Sequence, residues 1–177
     1  MNPTQLSREL REGRSPDLAR RRWVVGLSLL GAAMGQLVSL YQVGIVKKLP
    51  DPDPSGALGR VFDATKVDAS DYAYKRLDTP DGLLMLGTYA VTAGLAAAGG
   101  ERRAEEQPLL PLAMAAKVGY DVFTNLSLAR EEWGDNHRLC QYCQLASVAS
   151  IASLALVLPE AARAARRLLG GGAAASA

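Results

Sequence analysis

The sequence is poor in the residues on which several classes of protein depend. Its 177 residues include only two cysteines, too few to staple a domain of this length with disulfides. A single histidine limits the chemistry of any metal site. The formal net charge is only +2, which gives no electrostatic reason to bind a phosphate backbone. These shortages exclude a disulfide scaffold and a nucleic-acid-binding protein.

Charge is also missing from three long windows of the chain. Residues 23–46, 82–100 and 139–159 contain no Asp, Glu, Lys or Arg over 24, 19 and 21 positions. A helix rises about 1.5 Å per residue, so roughly 20 uncharged residues cross the hydrocarbon core of a bilayer. A fourth apolar segment, residues 109–129, carries two charged residues. The mean hydropathy of +0.02 therefore averages apolar spans with charged connections.

These segments predict an all-α fold, an integral membrane bundle of four transmembrane helices. The first helix is expected to end at residues 47–50, and the fourth at Pro159, because proline disrupts a continuing helix. Residues 47–81 are rich in turn-forming residues and predict an extramembrane loop with a short helix near residues 69–77. Thr79 and the proline after it predict the start of the second span.

The distribution of positive charge predicts the orientation of the bundle in the membrane. The N-terminal arm, the 101–107 link and the C-terminal tail together hold 11 Lys or Arg, against 8 on the opposite face. Three consecutive arginines at 20–22 also abut the first span, so both termini are predicted to be cytoplasmic. The 47–81 loop and the start of the fourth span then lie outside the cytoplasm. The predicted divisions are a disordered arm, 1–20, a membrane domain, 21–160, and a basic, then Gly/Ala-rich cytoplasmic tail, 161–177.

The sequence Cys140-Gln141-Tyr142-Cys143 opens the fourth span. Two intervening residues on a helix place both sulfurs on one face, where they form a reactive dithiol or a reversible disulfide. The positive end of the helix dipole favours a thiolate at the first sulfur, and a protonated His137 adds to that effect. A redox pair is the functional interpretation. Two alternatives are a pair of buried apolar cysteines and a zinc site completed by His137 and Asp135 or a second chain.

Three polar residues within the spans are candidates for contact with a bound ligand. Lys117 and Asp121 lie four residues apart on the third span, where they form either an ion pair or a proton supply to the ligand. Tyr89 lies on the second span, where it either lines a pocket or anchors the helix at the membrane interface.

Several of these features together resemble the vitamin K epoxide reductase family. They are the four spans, the long outer loop, the sequences Ser70-Asp71-Tyr72-Ala73 and Thr79-Pro80-Asp81-Gly82, and Cys140-x-x-Cys143. The resemblance covers roughly residues 21–159. It implies four helices around a quinone of the ubiquinone or menaquinone type, and a dithiol that passes electrons between protein thiols and that quinone.

The resemblance also implies roles and a location. Cys143 is expected to lie nearest the quinone and to attack it, and Cys140 to resolve the product and exchange disulfides with a separate thioredoxin-like protein. Tyr89, Lys117 and Asp121 are the candidates for binding the quinone. The expected enzyme is a quinone-dependent thiol–disulfide oxidoreductase of the bacterial cytoplasmic (inner) membrane, with its cysteines facing outward, that supports disulfide formation or quinone reduction.

One departure from the family pattern concerns the outer loop. The family usually carries a second cysteine pair there, whereas residues 47–81 contain no cysteine and have Asp68 and Asp71 roughly at those places. Either a partner reaches Cys140 directly, or the relay is absent and the quinone pocket serves another reaction. The alternative functions are a structural membrane protein with an incidental dithiol and a metal-binding membrane protein.

Overall fold

The computed structural model describes residues 2–174, with side chains as far as residue 170. Within that range the backbone is helical and contains no β-strand, which confirms the predicted all-α class. Its seven α-helices are α1 Pro3–Glu12, α2 Pro16–Gln42, α3 Ala64–Asp68, α4 Asp81–Ala97, α5 Arg103–Glu106, α6 Leu109–Asn136 and α7 Gln141–Ala174. Two short 3-10 helices, Leu58–Arg60 and Asp71–Tyr74, lie in the loop between α2 and α4.

The four long helices pack as one bundle. Helix α2 packs against α4 and α7, and α6 packs against α7 and α4. Helices α2 and α7 are each long and apolar enough to cross a membrane, and α4 is a shorter apolar helix. The loop of residues 43–80 folds over one end of the bundle, where α7 begins.

The bundle is apolar outside and partly polar inside. Seven large apolar side chains on α2, α4, α6 and α7 are about half exposed or more: Leu29, Leu30, Val91, Phe123, Leu126, Val148 and Ile151. Several polar side chains of the same helices are buried: Ser28, Ser39, Thr92, Asp121, Ser147, Ser150 and Ser153. A protein folded in water shows the opposite arrangement over most of its surface.

The described residues near both ends of the chain are helical, contrary to the prediction for the arm and for the end of the fourth span. The arm expected to be disordered forms α1, because Asn2 accepts a hydrogen bond from the amide of Thr4 and Pro3 suits the first turn. Helix α7 was predicted to end at Pro159, but it continues to Ala174. Beyond that proline the inner face of the helix stays buried at Glu160, Ala161 and Ala164, and this packing holds the helix. Residues 175–177 of the predicted tail lie outside the described part of the chain.

Three other predicted helix boundaries differ from those in the structure. Helix α2 ends at Gln42, earlier than predicted, because Gly44 adopts a φ of +79° that a helix cannot contain. Helix α6 runs through the predicted 130–138 link until His137, whose φ of 51° ends it. A single short helix was expected near residues 69–77. The loop instead has α3, which ends at Asp68, followed by the 3-10 helix Asp71–Tyr74.

A close contact between α2 and α4 depends on Gly82. A Cβ atom at this position would lie 2.7 Å from the backbone nitrogen of Ser39 and 2.9 Å from the carbonyl oxygen of Gly35. The amide of Gly82 also donates to the Gln42 side-chain oxygen at 3.0 Å. This crossing fixes the first turn of α4, which lies beside the site described below.

Gly82→Ala is therefore expected to destabilise the fold by about 1–3 kcal/mol, because the added methyl group forces two backbones apart. Thermal unfolding in detergent measures the change. Gly87→Ala is the matched control, since a Cβ at Gly87 meets nothing within 4 Å and alanine favours a helix. Equal melting of the two variants would show that the crossing tolerates the methyl group.

Candidate functional site

The two cysteines lie at the start of α7 and are both free thiols. Cys140 directly precedes the helix, and the amide of Cys143 donates to the Cys140 sulfur at 3.3 Å. The residue before the pair is fixed by the loop: the amide of Leu139 donates to the oxygen of Val61 at 2.8 Å, and its oxygen accepts from Asp63 at 3.0 Å. The outer loop therefore holds the dithiol in position.

The Cys140 side chain is completely buried under that loop. Its exposed fraction is 0%, and it belongs to an apolar cluster formed largely by loop residues. The members of this cluster are Val38, Leu49, Ala64, Val67, Tyr72, Ala73 and Cys140. In this conformation a thiol of another protein does not reach the Cys140 sulfur, because the loop covers it.

Cys143 is different, because it is only partly buried and lines a cavity of about 240 Å³. Apolar walls of this cavity come from α2, α4 and α6 through Val38, Leu84, Met85 and Leu128. Cys140 is not among the lining residues. One sulfur thus opens onto an internal space, and the other lies behind it.

A third polar side chain, Asp68 at the end of α3, completes the cluster around the sulfurs. A carboxylate oxygen of Asp68 and the sulfurs of Cys140 and Cys143 all lie within 4.8 Å of one another. Asp68 is 3% exposed, and its Oδ2 atom has no hydrogen-bond partner among the described residues. Burial raises the pKa of Asp68 to about 7, against the opposing effect of the Cys140 thiol.

A second buried carboxyl group, that of Glu132, caps the start of α7. Its two oxygens accept from the amide of Cys140 at 3.1 Å and from the side chain of Gln144 at 3.1 Å. The first of these is a helix N-terminal amide with no partner inside the helix. Burial raises the pKa of Glu132 to about 8, although the bond from Cys140 opposes that shift.

Comparison with known protein families identifies a family to which this chain belongs. The family model for the vitamin K epoxide reductase family matches residues 22–158, which include all of α4 and α6, most of α2, the first half of α7 and both cysteines. The chain belongs to the vitamin K epoxide reductase family. No curated protein and no solved structure matches the chain. Membership makes this chain a membrane-embedded oxidoreductase and confirms the resemblance found in the sequence.

The candidate residues within the helices of this vitamin K epoxide reductase family member lie in different places. Asp121 lines the cavity, and Tyr89 and Lys117 lie outside its lining. Lys117 donates to Asp121, and also to Thr88 and Thr92 on α4. The Tyr89 hydroxyl bonds to Ala146 and Ser150 of α7. Each has a structural partner, and the role of all three in binding a ligand stays a prediction.

His137 is exposed at the end of α6 and does not join the cluster at the sulfurs. Asp135, the other predicted zinc ligand, is exposed and pairs with Lys75 at 3.6 Å. Among the described residues, the group that brings potential ligand atoms together with the cysteines contains Asp68 instead. The zinc site named from the sequence as an alternative to a redox pair is therefore not assembled from these residues, and the effect of His137 on thiol ionisation stays a prediction.

Sequence reasoning missed Glu132 and Arg76. Glu132 lay in a segment predicted to be a surface link, and nothing in its sequence neighbourhood marks it as buried. Arg76 bonds to Asp81 of α4 at 2.9 Å and Glu131 of α6 at 2.8 Å, and its guanidinium stacks 4.8 Å from the centre of the Tyr72 ring. These contacts latch the outer loop onto the bundle.

Proposed function

We propose that this protein is a membrane thiol–disulfide oxidoreductase that couples the Cys140–Cys143 dithiol to a quinone. The observation that carries the proposal is the asymmetry of the pair: Cys143 lines the cavity, whereas Cys140 is buried directly behind it. A dithiol that reacts with a small molecule needs one sulfur open to that molecule and one held beside the first to close a disulfide. The family membership supports the same assignment.

The cavity residues fit a quinone ring. Apolar side chains form its walls, which suits a flat apolar ring, and a few polar groups among the lining suit its carbonyl oxygens. Asp81 lines the cavity, and its buried Oδ1 atom has no hydrogen-bond partner within residues 2–170. A quinone supplies an acceptor for two electrons and two protons. The protein supplies the donor, because closing the Cys140–Cys143 disulfide releases both electrons and both thiol protons.

We propose further that α2, α4, α6 and α7 all span the membrane. The apolar outer faces of these helices and their buried polar residues support four spans, although α4 is short and α6 carries Lys117 and Asp121. The ion pair between those two residues lowers the cost of placing them in the bundle. With both termini cytoplasmic, the dithiol faces outward from a bacterial inner membrane.

The thiol donor is proposed to be a separate thioredoxin-like protein. Because residues 47–81 contain no cysteine, the donor must reach the dithiol itself. Cys140 is covered in this structure, so the loop has to open for that exchange. The latch formed by Arg76 then sets how often the Cys140 sulfur becomes accessible.

Arg76→Ala is expected to speed alkylation of Cys140 about tenfold, because losing partly exposed ion pairs and one cation–π contact costs about 1.4 kcal/mol of loop closure. The rate of N-ethylmaleimide labelling, measured in a Cys143→Ser background, reports Cys140 alone. Arg60→Ala is the control, since Arg60 is an exposed residue of the same loop. Equal labelling rates in the two variants would contradict the latch.

Maleimide mass-tag labelling in intact membranes tests the proposed function. Both thiols should be free in membranes depleted of quinone, and both should be protected as a disulfide when the quinone pool is restored. A structural protein would give the same labelling in both samples. A metal-binding protein would instead change its labelling with added chelator and not with quinone.

A further inference from the structure

We propose that Asp68 is the proton acceptor for the Cys140 thiol when the disulfide closes. This inference rests on the proposed function and names a further residue in its chemistry. Asp68 lies in the loop that usually carries a second cysteine pair in this family and that contains no cysteine here. The loop therefore contributes an acid–base group to the dithiol.

Cys140 needs such a group because of where it lies. Its sulfur is a better nucleophile as a thiolate, so its proton must leave before it can form a bond to Cys143. The side chain is fully buried in an apolar cluster, so its thiol is not in contact with bulk solvent. An isolated thiolate in such surroundings is unfavourable unless a neighbouring group receives the proton.

Two buried carboxyl groups are near enough to be considered, and their partners distinguish them. Both oxygens of Glu132 already accept hydrogen bonds, one from the Cys140 amide and one from Gln144. The Oδ2 atom of Asp68 is buried, and no hydrogen-bond partner for it lies in the part of the chain that the structure describes. An Asp68 oxygen also lies within 4.8 Å of both sulfurs. The group with free accepting capacity is therefore Asp68.

The loop holds Asp68 firmly in this position. The side chain of Asp63 caps α3 by accepting from the amide of Lys66 at 2.9 Å. Asp51 accepts from the amide of Ala64 at 2.8 Å, and it also bonds to Thr65 and, at 3.0 Å, to Gln141 of α7. The five-residue helix that ends in Asp68 is thus fixed to the same element that carries the dithiol.

The step balances as follows. The S–H bond of Cys140 breaks, and its proton passes to the Asp68 carboxylate. Before this step the Cys143 sulfur has formed a bond to the oxidant, and the Cys143 thiol proton has passed to the oxidant. The electron pair left on the Cys140 sulfur then forms the S–S bond to Cys143, and the bond between Cys143 and the oxidant breaks with its electron pair remaining on the oxidant. The oxidant, a quinone in the proposed function, is reduced by two electrons and takes up two protons, one of them released again by Asp68. In the reverse direction, Asp68 returns the proton to Cys140.

The ionisation of Asp68 suits this role near neutral pH. Because its pKa is about 7, Asp68 is mostly ionised and able to accept a proton above pH 7, and it becomes protonated as the pH falls below 7. The rate of closure should therefore rise with pH through this range. The titratable groups whose charge acts on Asp68, or on which Asp68 acts, are Asp51 of the loop, Asp81 of α4, Glu132 of α6, Cys140 and Cys143, together with Tyr41, Tyr74 and Tyr142.

The test compares Asp68→Asn, Asp68→Glu and Asp71→Asn in the full chain. Asp71 is the matched control, because it is an exposed aspartate three residues away in the same loop. Reduced protein in detergent is oxidised with the small thiol oxidant diamide and, separately, with the quinone menadione, between pH 5 and pH 9. Disulfide closure is followed by acid quenching and mass-tag labelling. The melting temperature of each variant shows whether it folds.

At pH 7 Asp68→Asn should close the disulfide at least about 100-fold more slowly than the parent and lose the rise in rate near pH 7. Asp68→Glu should restore that rise, and Asp71→Asn should match the parent. An Asp68→Asn variant that closes as fast as the parent, or more slowly with the same pH dependence, overturns the proposal. The diamide reaction needs no quinone, so failure of menadione alone would count against the proposed function and not against Asp68.

Discussion

Cys143→Ser is expected to abolish oxidation of the dithiol by quinone, with a fall in rate of at least about 10³-fold. Cys143 is the sulfur that lines the cavity, so its removal takes away the group that meets the quinone. The Cys140 sulfur cannot replace it, because it is completely buried behind that position. Quinol formation from menadione, with a chemical dithiol as reductant, measures the loss.

Cys140→Ser provides the matched comparison. It should also stop turnover, because no disulfide can close, but it leaves the Cys143 thiol open to the cavity. Cys143 in this variant should therefore react with a small alkylating agent, whereas Cys140 in the Cys143→Ser variant should react far more slowly. Similar labelling of the two single variants, or quinol formation by either, would contradict the asymmetry on which the function rests.

The largest expected effect on stability comes from Arg103 at the opposite end of the bundle. Arg103 is completely buried, and its guanidinium pairs with Glu160 of α7 through two bonds of 2.8 and 2.9 Å. It also donates to the oxygens of Leu95 and Ala98 at the end of α4. Arg103→Ala leaves a buried carboxylate without its partner, and the expected loss is about 3–5 kcal/mol.

Denaturant unfolding in detergent measures this loss, and the neighbouring residue supplies the control. Arg102 is 75% exposed and pairs with Glu106 at the surface, so Arg102→Ala is expected to change stability by about 1 kcal/mol or less. Replacing both Arg103 and Glu160 by apolar residues should recover part of the loss, because no unpaired charge remains. Equal stability of Arg103→Ala and Arg102→Ala would refute the importance of the buried pair.

The sequence was informative about the helices, because an uncharged window long enough to span a bilayer is a strong local signal. It was less informative about their ends. The extension of α7 past Pro159 depends on packing around Glu160, and the extension of α6 to Asn136 depends on contacts with the loop and α7. Such contacts join residues far apart in the sequence, so composition and periodicity do not register them.

The candidate site also combines residues that local sequence reveals with residues that only the fold brings together. Cys140 and Cys143 were predicted because their spacing alone brings the sulfurs together. Asp68 and Glu132 lie 72 and 8 residues before Cys140, and only the folding of the outer loop and the length of α6 bring them to the dithiol. The burial that raises the pKa of each carboxyl group is also a property of the folded loop. Local sequence does not reveal it.

The most direct test of the central claim is a stoichiometric titration. Purified, fully reduced protein is mixed with menadione in the absence of oxygen, and quinol formation and free thiols are measured in the same sample. The proposed function predicts one quinol for each Cys140–Cys143 disulfide, and neither product with the Cys143→Ser variant. A dithiol that stays reduced in the presence of excess quinone, while the protein remains folded, would contradict it.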